Sequence, residues 1–301
     1  MTPLLVLCGP TAAGKSAVAL DVAGAIGAEI VSADSMQIYR GLDVGTAKPS
    51  RTDRQVVPHH LIDVAEVDES FSAGRFVAVA EAAISAIRAR GRPVIVCGGT
   101  MLYLRALLRG LVTLPSDPAL RAKLESEPTA ALRVRLAAVD SDSAARLHPH
   151  DRVRILRALE ISLQAGEPAS RLRSAHGFRE LRPDARVVAL IPPRETLRAR
   201  IDERVLHMVA AGLVEETRGL LARAAVALAP LPPLRALGYR QIAEHLAGRG
   251  TLADAVLATQ RATRVFARRQ CAWIRKEPAA RVTASAGEAR ALLLGVRAEA
   301  A

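Results

Sequence analysis

Gly9-Pro10-Thr11-Ala12-Ala13-Gly14-Lys15-Ser16 fits the spacing GxxxxGKS. In that pattern a loop without bulky side chains turns successive backbone N–H groups onto a phosphate chain, and the helix that follows adds its N-terminal dipole. Lys15 is placed to neutralise phosphate charge, and the Ser16 hydroxyl to reach a Mg²⁺. A ligand-free tight turn is the plainer reading of such residues. The apolar run Leu4-Leu5-Val6-Leu7 before the loop and the helix-like Ser16-Ala17-Val18-Ala19-Leu20 after it favour phosphate. The motif does not say which phosphate.

The second chemical candidate is Asp34: Glu29-Ile30-Val31 reads as a short buried strand that ends in Ser32-Ala33-Asp34-Ser35, which places Asp34 at a carboxyl end, where parallel sheets carry ligand chemistry. It could be a metal-shell carboxylate, a general base or an ordinary turn residue. A nucleotide-driven motor also wants a carboxylate ending an apolar strand, yet Pro93-Val94-Ile95-Val96-Cys97 runs into Gly98-Gly99-Thr100. His59 and His60 are adjacent, so they read as loop residues rather than two ligands of one metal. Towards the C-terminus Arg261, Arg264, Arg268 and Arg275 recur at helical spacing, with Gln270 and Trp273 close by. A solvated basic face is the bland reading of that stripe; contact with a phosphate backbone is the functional one.

The elements that must position these residues alternate. Strand-like runs precede the glycine loop and Asp34, a helix is expected over about 71–90 with Ser72 capping it, and Arg186-Val187-Val188-Ala189-Leu190-Ile191 is a later strand stopped by Pro192-Pro193. This pattern predicts an α/β fold: a P-loop core with a parallel sheet flanked by helices. Between Leu114 and Pro183 strand signals vanish and Ala/Leu/Arg helices take over, from Leu120 onward and again over Asp151 to Leu163. We expect an all-α insertion domain over 115–182, with the core formed by 1–114 and 183–301. Ser170 to Phe178 reads as a loop, and from Leu197 to the end the pattern is helical, broken at Pro230-Leu231-Pro232-Pro233.

The chain has 301 residues, half of them hydrophobic, enough for a substantial core, and a net charge of +12. Lys occurs only at 15, 48, 123 and 276, so arginine dominates, but a preference for Arg over Lys does not explain why bases outnumber acids. A polyanion such as RNA or DNA is the expected partner. With aromatics at 3%, a large base-stacking platform is not. No apolar run is long enough to span a membrane and no signal peptide is indicated, so a cytoplasmic location is expected. Cys8, Cys97 and Cys271 are far apart and form no CxxC pair, which suits reduced thiols.

Taken together, these segments resemble the bacterial tRNA dimethylallyltransferases. Beside the glycine loop, the match includes SADSMQIYRGLDVGTAKP from Ser32, PHHLID from Pro58, FSAGRF from Phe71, GGTMLY from Gly98, HPHDRVRILRALEI from His148, RALGYRQ from Arg235 and RRQCAWIR from Arg268. The blocks cover nearly the whole chain; Ala13, Phe266 and Ala272 depart from the pattern, and the match weakens after Gly166. The resemblance implies transfer of a dimethylallyl group from dimethylallyl diphosphate to the N6 amine of the adenosine 3′ to the tRNA anticodon, with Mg²⁺ as cofactor. By the same resemblance Gly9 to Ser16 and Arg204 bind the diphosphate, Asp34 takes the amine proton, and Thr100 orients the amine or the base.

Asp34, Ser35, Met36 and Gln37 would border the adenosine. Val153, Arg154, Ile155, Leu156 and Arg157 match tRNA-contacting stretches, as do Arg235, Gly238, Tyr239, Arg240 and Gln241, and Arg268, Arg269, Gln270, Trp273 and Arg275. The insert would grip the anticodon stem, and the resemblance implies a monomer. The rival reading from the residues alone is a small-molecule kinase that uses ATP at the same loop with Asp34 as base. A non-catalytic RNA-binding protein would not need Lys15, Ser16, Asp34 and Thr100 together.

Overall fold

A computed structural model describes residues 3–111, 117–177, 180–227 and 231–295. The expected boundary at Leu114 and Pro115, as well as Phe178 and Pro230, lie outside these residues. The chain forms two compact units, one of Met1–Leu108 with Arg182–Ala301 and one of Arg109–Leu181.

The first unit starts with β1 (Leu4–Cys8), α1 (Lys15–Ile26), β2 (Glu29–Ala33), α2 (Arg51–Val56), β3 (His59–His60), α3 (Ala73–Ala89), β4 (Val94–Gly98) and α4 (Met101–Arg109). The second unit holds α5 (Pro118–Glu125), α6 (Thr129–Val139), α7 (Ser141–Arg146), α8 (Arg152–Ala165) and α9 (Ala169–His176). The chain then returns to the first unit with β5 (Ala185–Leu190), α10 (Arg194–Ala210), α11 (Leu213–Val226), a 3₁₀ turn at Pro232–Arg235, α12 (Tyr239–Leu246), α13 (Leu252–Ile274), β6 (Ala280–Thr283) and α14 (Ala286–Leu294).

All strands are parallel in the order β3-β2-β4-β1-β5-β6. β1 and β2 are buried along their whole length, as strands covered by helices on both faces must be. On one face Leu5, Leu7, Ile30, Ile95, Val188 and Leu190 pack with Val18, Val22, Ala289 and Leu293 of α1 and α14. The register sets the site: Cys8 pairs with Gly98, and Gly98 with Ala33, so the glycine loop, Asp34 and Gly99-Thr100 leave three adjacent strands at one edge of the sheet. Among the described residues no helix is long and apolar enough to cross a membrane.

Three local expectations are corrected. Residues 169–176 form α9 rather than a loop, because tertiary acceptors fix the turn: Ser162 Oγ accepts the Ala169 N–H and Asp140 the Ser170 N–H. Ala280–Thr283 is not helical; it adds the edge strand β6 beside β5, too short to show periodicity. His59 and His60 form the opposite edge strand, where His60 Nε2 lies 2.6 Å from Glu29 Oε2.

In the insert, Leu124, Leu132, Leu136, Ile155 and Leu159 form the core. Asp140 caps α7 through the Ser143 N–H and reaches α9 through the Ser170 N–H. Burial alone would raise the pKa of this carboxyl, but these hydrogen bonds outweigh it and hold the value at about 2. A depressed folded-state pKa stabilises above the unfolded value near 4 and is lost as pH falls towards 2. The shift corresponds to about 2 kcal/mol. Asp140→Asn should therefore unfold more easily than the parent at pH 7, with the gap closing between about pH 4 and 2 in denaturant melts. A gap independent of pH would show that the Asp140 charge contributes nothing.

Candidate active site

The glycine loop is shaped by close approach. A Cβ on Gly9 would lie 2.4 Å from the Leu190 carbonyl oxygen, so the bulk-free residue is required where the loop crosses the end of β5. Ala12 (φ 62°) and Gly14 (φ 93°) are both left-handed, which curls the chain into a concave nest. Gly14 is the N-cap of α1 and supplies no side chain to the first-turn amides. Those donors are left for an anion. Lys15 Nζ donates to Pro10 O at 2.7 Å. Burial lowers the Lys15 pKa, with Arg204 adding to the effect and the Cys97 and Asp34 charges opposing it.

Asp34 sits in a tight turn of its own making. Its Oδ1 accepts the Met36 N–H at 2.8 Å, and among the described residues Oδ2 has no hydrogen-bond partner. Thr100 ties the ends of β2 and β4 together: its N–H donates to Ala33 O, and its Oγ1 accepts the Ser35 N–H at 2.9 Å. Asp34 is therefore held from both sides, through its own side chain and through the Ser35 backbone.

A cavity of about 370 Å³ brings Lys15, Ser16, Asp34, Thr100 and Arg204 together. Two helices wall it. From α10 come Ile201, Arg204, Val205 and Met208, and from α13 Thr259, Thr263, Phe266 and Gln270. Leu197 and Ile201 of α10 pack with Ala267 of α13, against Ala12 of the loop, which seats the pair on the phosphate cradle. Arg204 is half-buried, and among the described residues no carboxylate lies within ion-pair distance of it. Burial lowers its pKa, partly offset by the charge of Asp34. Two desolvated cations and a nest of amides share this cavity, which fits a compact polyanion.

The carboxylate Glu216, which the sequence reading passed over, organises the opposite wall. It accepts the Asp43, Val44 and Gly45 N–H groups at 2.7–2.9 Å and the Tyr239 hydroxyl at 2.6 Å. Gly45 is pressed so closely to Tyr239 that a Cβ would meet the ring at 2.5 Å. Glu216 lies more than 170 residues from the loop it holds, so no local pattern could reveal it.

Several expected RNA contacts have other duties. Ile155 and Leu156 are buried in the insert's core, while Val153 and Arg154 of the same helix are exposed, because one helical face must close the bundle. Arg157 pairs with the buried Glu160 at 2.9 Å. Tyr239 is buried against Glu216, and Gln241 accepts the Gly238 N–H to cap α12. The Gln37 amide is taken up by Ser32, Thr46 and Ala47. Gln270 is buried between Thr11 and Gly99, and Trp273 is half-buried. Arg235, Arg240, Arg268, Arg269 and Arg275 are exposed, but Arg264 departs from the expected stripe by pairing with Asp202.

Mg²⁺ was expected at Ser16. Among the described residues no cluster of three His, Cys, Asp or Glu side chains could hold a metal by itself. An exposed hydroxyl beside a phosphate cradle, with one carboxylate in the same cavity, does fit an ion held mainly by phosphate oxygens and water.

Residues 37–277 match the model of the IPP transferase family. That span starts beyond the glycine loop and Asp34. A protein named tRNA dimethylallyltransferase from Anaeromyxobacter sp. (strain Fw109-5) is 54% identical over 92% of this chain and 93% of its own length. One of the same name from Myxococcus xanthus (strain DK1622) is 48% identical over 97% and 96%. The crystal structure of the full-length tRNA isopentenylpyrophosphate transferase from Bacillus halodurans covers 98% of this chain and 96% of its own, with a TM-score of 0.70 and 32% identity. A eukaryotic dimethylallyltransferase acting on tRNA gives a TM-score of 0.80 at 27% identity, over 91% and 70%.

Proposed function

This chain belongs to the IPP transferase family, and from that premise we propose how its residues divide the work of dimethylallyl transfer to tRNA. The reaction moves a dimethylallyl group from dimethylallyl diphosphate to N6 of the adenosine 3′ to the anticodon and releases diphosphate. The N6 lone pair forms the new bond to the allylic carbon as the carbon–oxygen bond breaks, and that electron pair goes to the diphosphate. Charge thus builds on the leaving group, where the α1 amides, Lys15 and Arg204 are positioned to receive it. Mg²⁺, held through Ser16, would supply further charge neutralisation there.

The amine loses a proton as the bond forms. Asp34 Oδ2 is the acceptor, held in place by the Met36 N–H and by Thr100 acting through Ser35. Thr100 therefore orients the base rather than the amine. The adenine must leave its stack to enter the cavity, which costs less in an anticodon loop than in a duplex. The exposed arginines of α13 and the 3₁₀ turn would hold the RNA backbone, and the insert the anticodon stem. Every group assigned to the chemistry comes from one compact unit of one chain, so the site needs no second copy, which suits a monomer.

The observation that carries this reading is that the half-buried Arg204, which pairs with no carboxylate among the described residues, lines one cavity with Lys15 and Asp34. The test is direct. Purified protein with Mg²⁺ and dimethylallyl diphosphate should convert an anticodon stem-loop bearing consecutive adenosines to N6-prenylated RNA, releasing one diphosphate per adenosine. Phosphate transfer from ATP to a metabolite, with no prenylated RNA, would return the assignment to a kinase.

A further inference from the structure

Gln270 bonds at once to the glycine loop and to the end of β4. It sits on α13 and is 5% exposed. Its Oε1 accepts the Thr11 N–H of the glycine loop at 2.9 Å, and its Nε2 donates to Gly99 O at 2.7 Å. Its partners fix the orientation of the amide, because a backbone N–H can only donate and a carbonyl can only accept. Gly99 leaves no slack, since a Cβ there would lie 2.7 Å from Nε2. Thr11 opens the diphosphate nest, and Gly99 precedes the Thr100 that sets the Ser35–Asp34 turn. Arg268 and Arg269 are exposed on the same helix, with Arg275 at its end.

We propose that Gln270 is a positioning residue that couples RNA docking on α13 to diphosphate binding in the glycine loop. The proposal rests on the reading above that α13 meets the RNA. A shift of this rigid helix changes the nest and the base turn together, because one carboxamide is bonded to both. Coupling of this kind is reciprocal: RNA tightens diphosphate binding by the factor by which diphosphate tightens RNA binding.

Calorimetric titration of inorganic diphosphate and Mg²⁺ into the full chain, with and without saturating stem-loop, measures that factor. The parent should bind diphosphate at least about fivefold more tightly with RNA present. In Gln270→Met, which keeps the side-chain volume but has neither amide function, the factor should fall below about twofold while RNA affinity without diphosphate stays within about twofold of the parent. Gln270→Glu provides the second reading should the Met variant fold poorly. It retains an acceptor for Thr11 but sets a carboxylate against the Gly99 carbonyl, and it should also lose the coupling. A parent without coupling, or a variant that retains about fivefold coupling, overturns the proposal. The measurement is made on a preparation that prenylates the stem-loop, so loss of turnover in the parent counts against the family reaction and not against Gln270.

Discussion

Asp34→Asn should lose about 10²- to 10⁴-fold in kcat while the Kd for the anticodon stem-loop stays within about twofold of the parent. Asparagine is the informative replacement because the two oxygens of Asp34 have different tasks. Oδ1 accepts the Met36 N–H and shapes the turn, and an amide oxygen can do the same. Oδ2, which has no partner among the described residues, is the group left to take a proton, and an amide nitrogen cannot. Only the transition state is then affected, and the loss falls on kcat. Alanine removes both functions and should also raise KM, since the Met36 and Gln37 N–H groups lose their acceptor. Rapid-quench turnover and a separate RNA-binding isotherm for both variants distinguish these effects. If Asp34→Asn retains kcat within about tenfold, the proton goes elsewhere and Asp34 is only a turn residue.

What could be read from the sequence follows the range of the interactions. The glycine loop, Asp34 and Gly99-Thr100 were legible because each begins within two residues of a strand end, and a parallel sheet brings those ends together whatever the helices do. Glu216 and Gln270 were not legible as supports. Each acts on backbone groups about 170 residues or more away, and no periodicity or spacing encodes that distance. Block resemblance also fails to separate the faces of a helix. Val153 to Arg157 is one matched run, but Ile155 and Leu156 close the insert's core. The edge strand β6 was missed for a different reason: four residues with exposed Arg281 and Val282 carry no apolar alternation.

The contrast between Glu216 and Arg204 shows which charges the fold needs and which the reaction needs. Glu216 is satisfied four times over, by three amides and a hydroxyl, and so it belongs to the architecture. Arg204 is desolvated enough to lower its pKa and yet pairs with no carboxylate among the described residues, which is a cost to the folded chain. Arg204→Gln should therefore reduce kcat/KM for dimethylallyl diphosphate by about 10²- to 10³-fold, with the Tm unchanged or raised by a few degrees. Lysine should restore only part of the activity, because a point charge lacks the planar fork that grips two phosphate oxygens. Donor-dependent kinetics and thermal melts of the same preparations test both halves. A fall in Tm that matches the loss of activity would mean that Arg204 holds α10 in place, and the assignment of the leaving-group cradle would then rest on Lys15 and the loop amides alone.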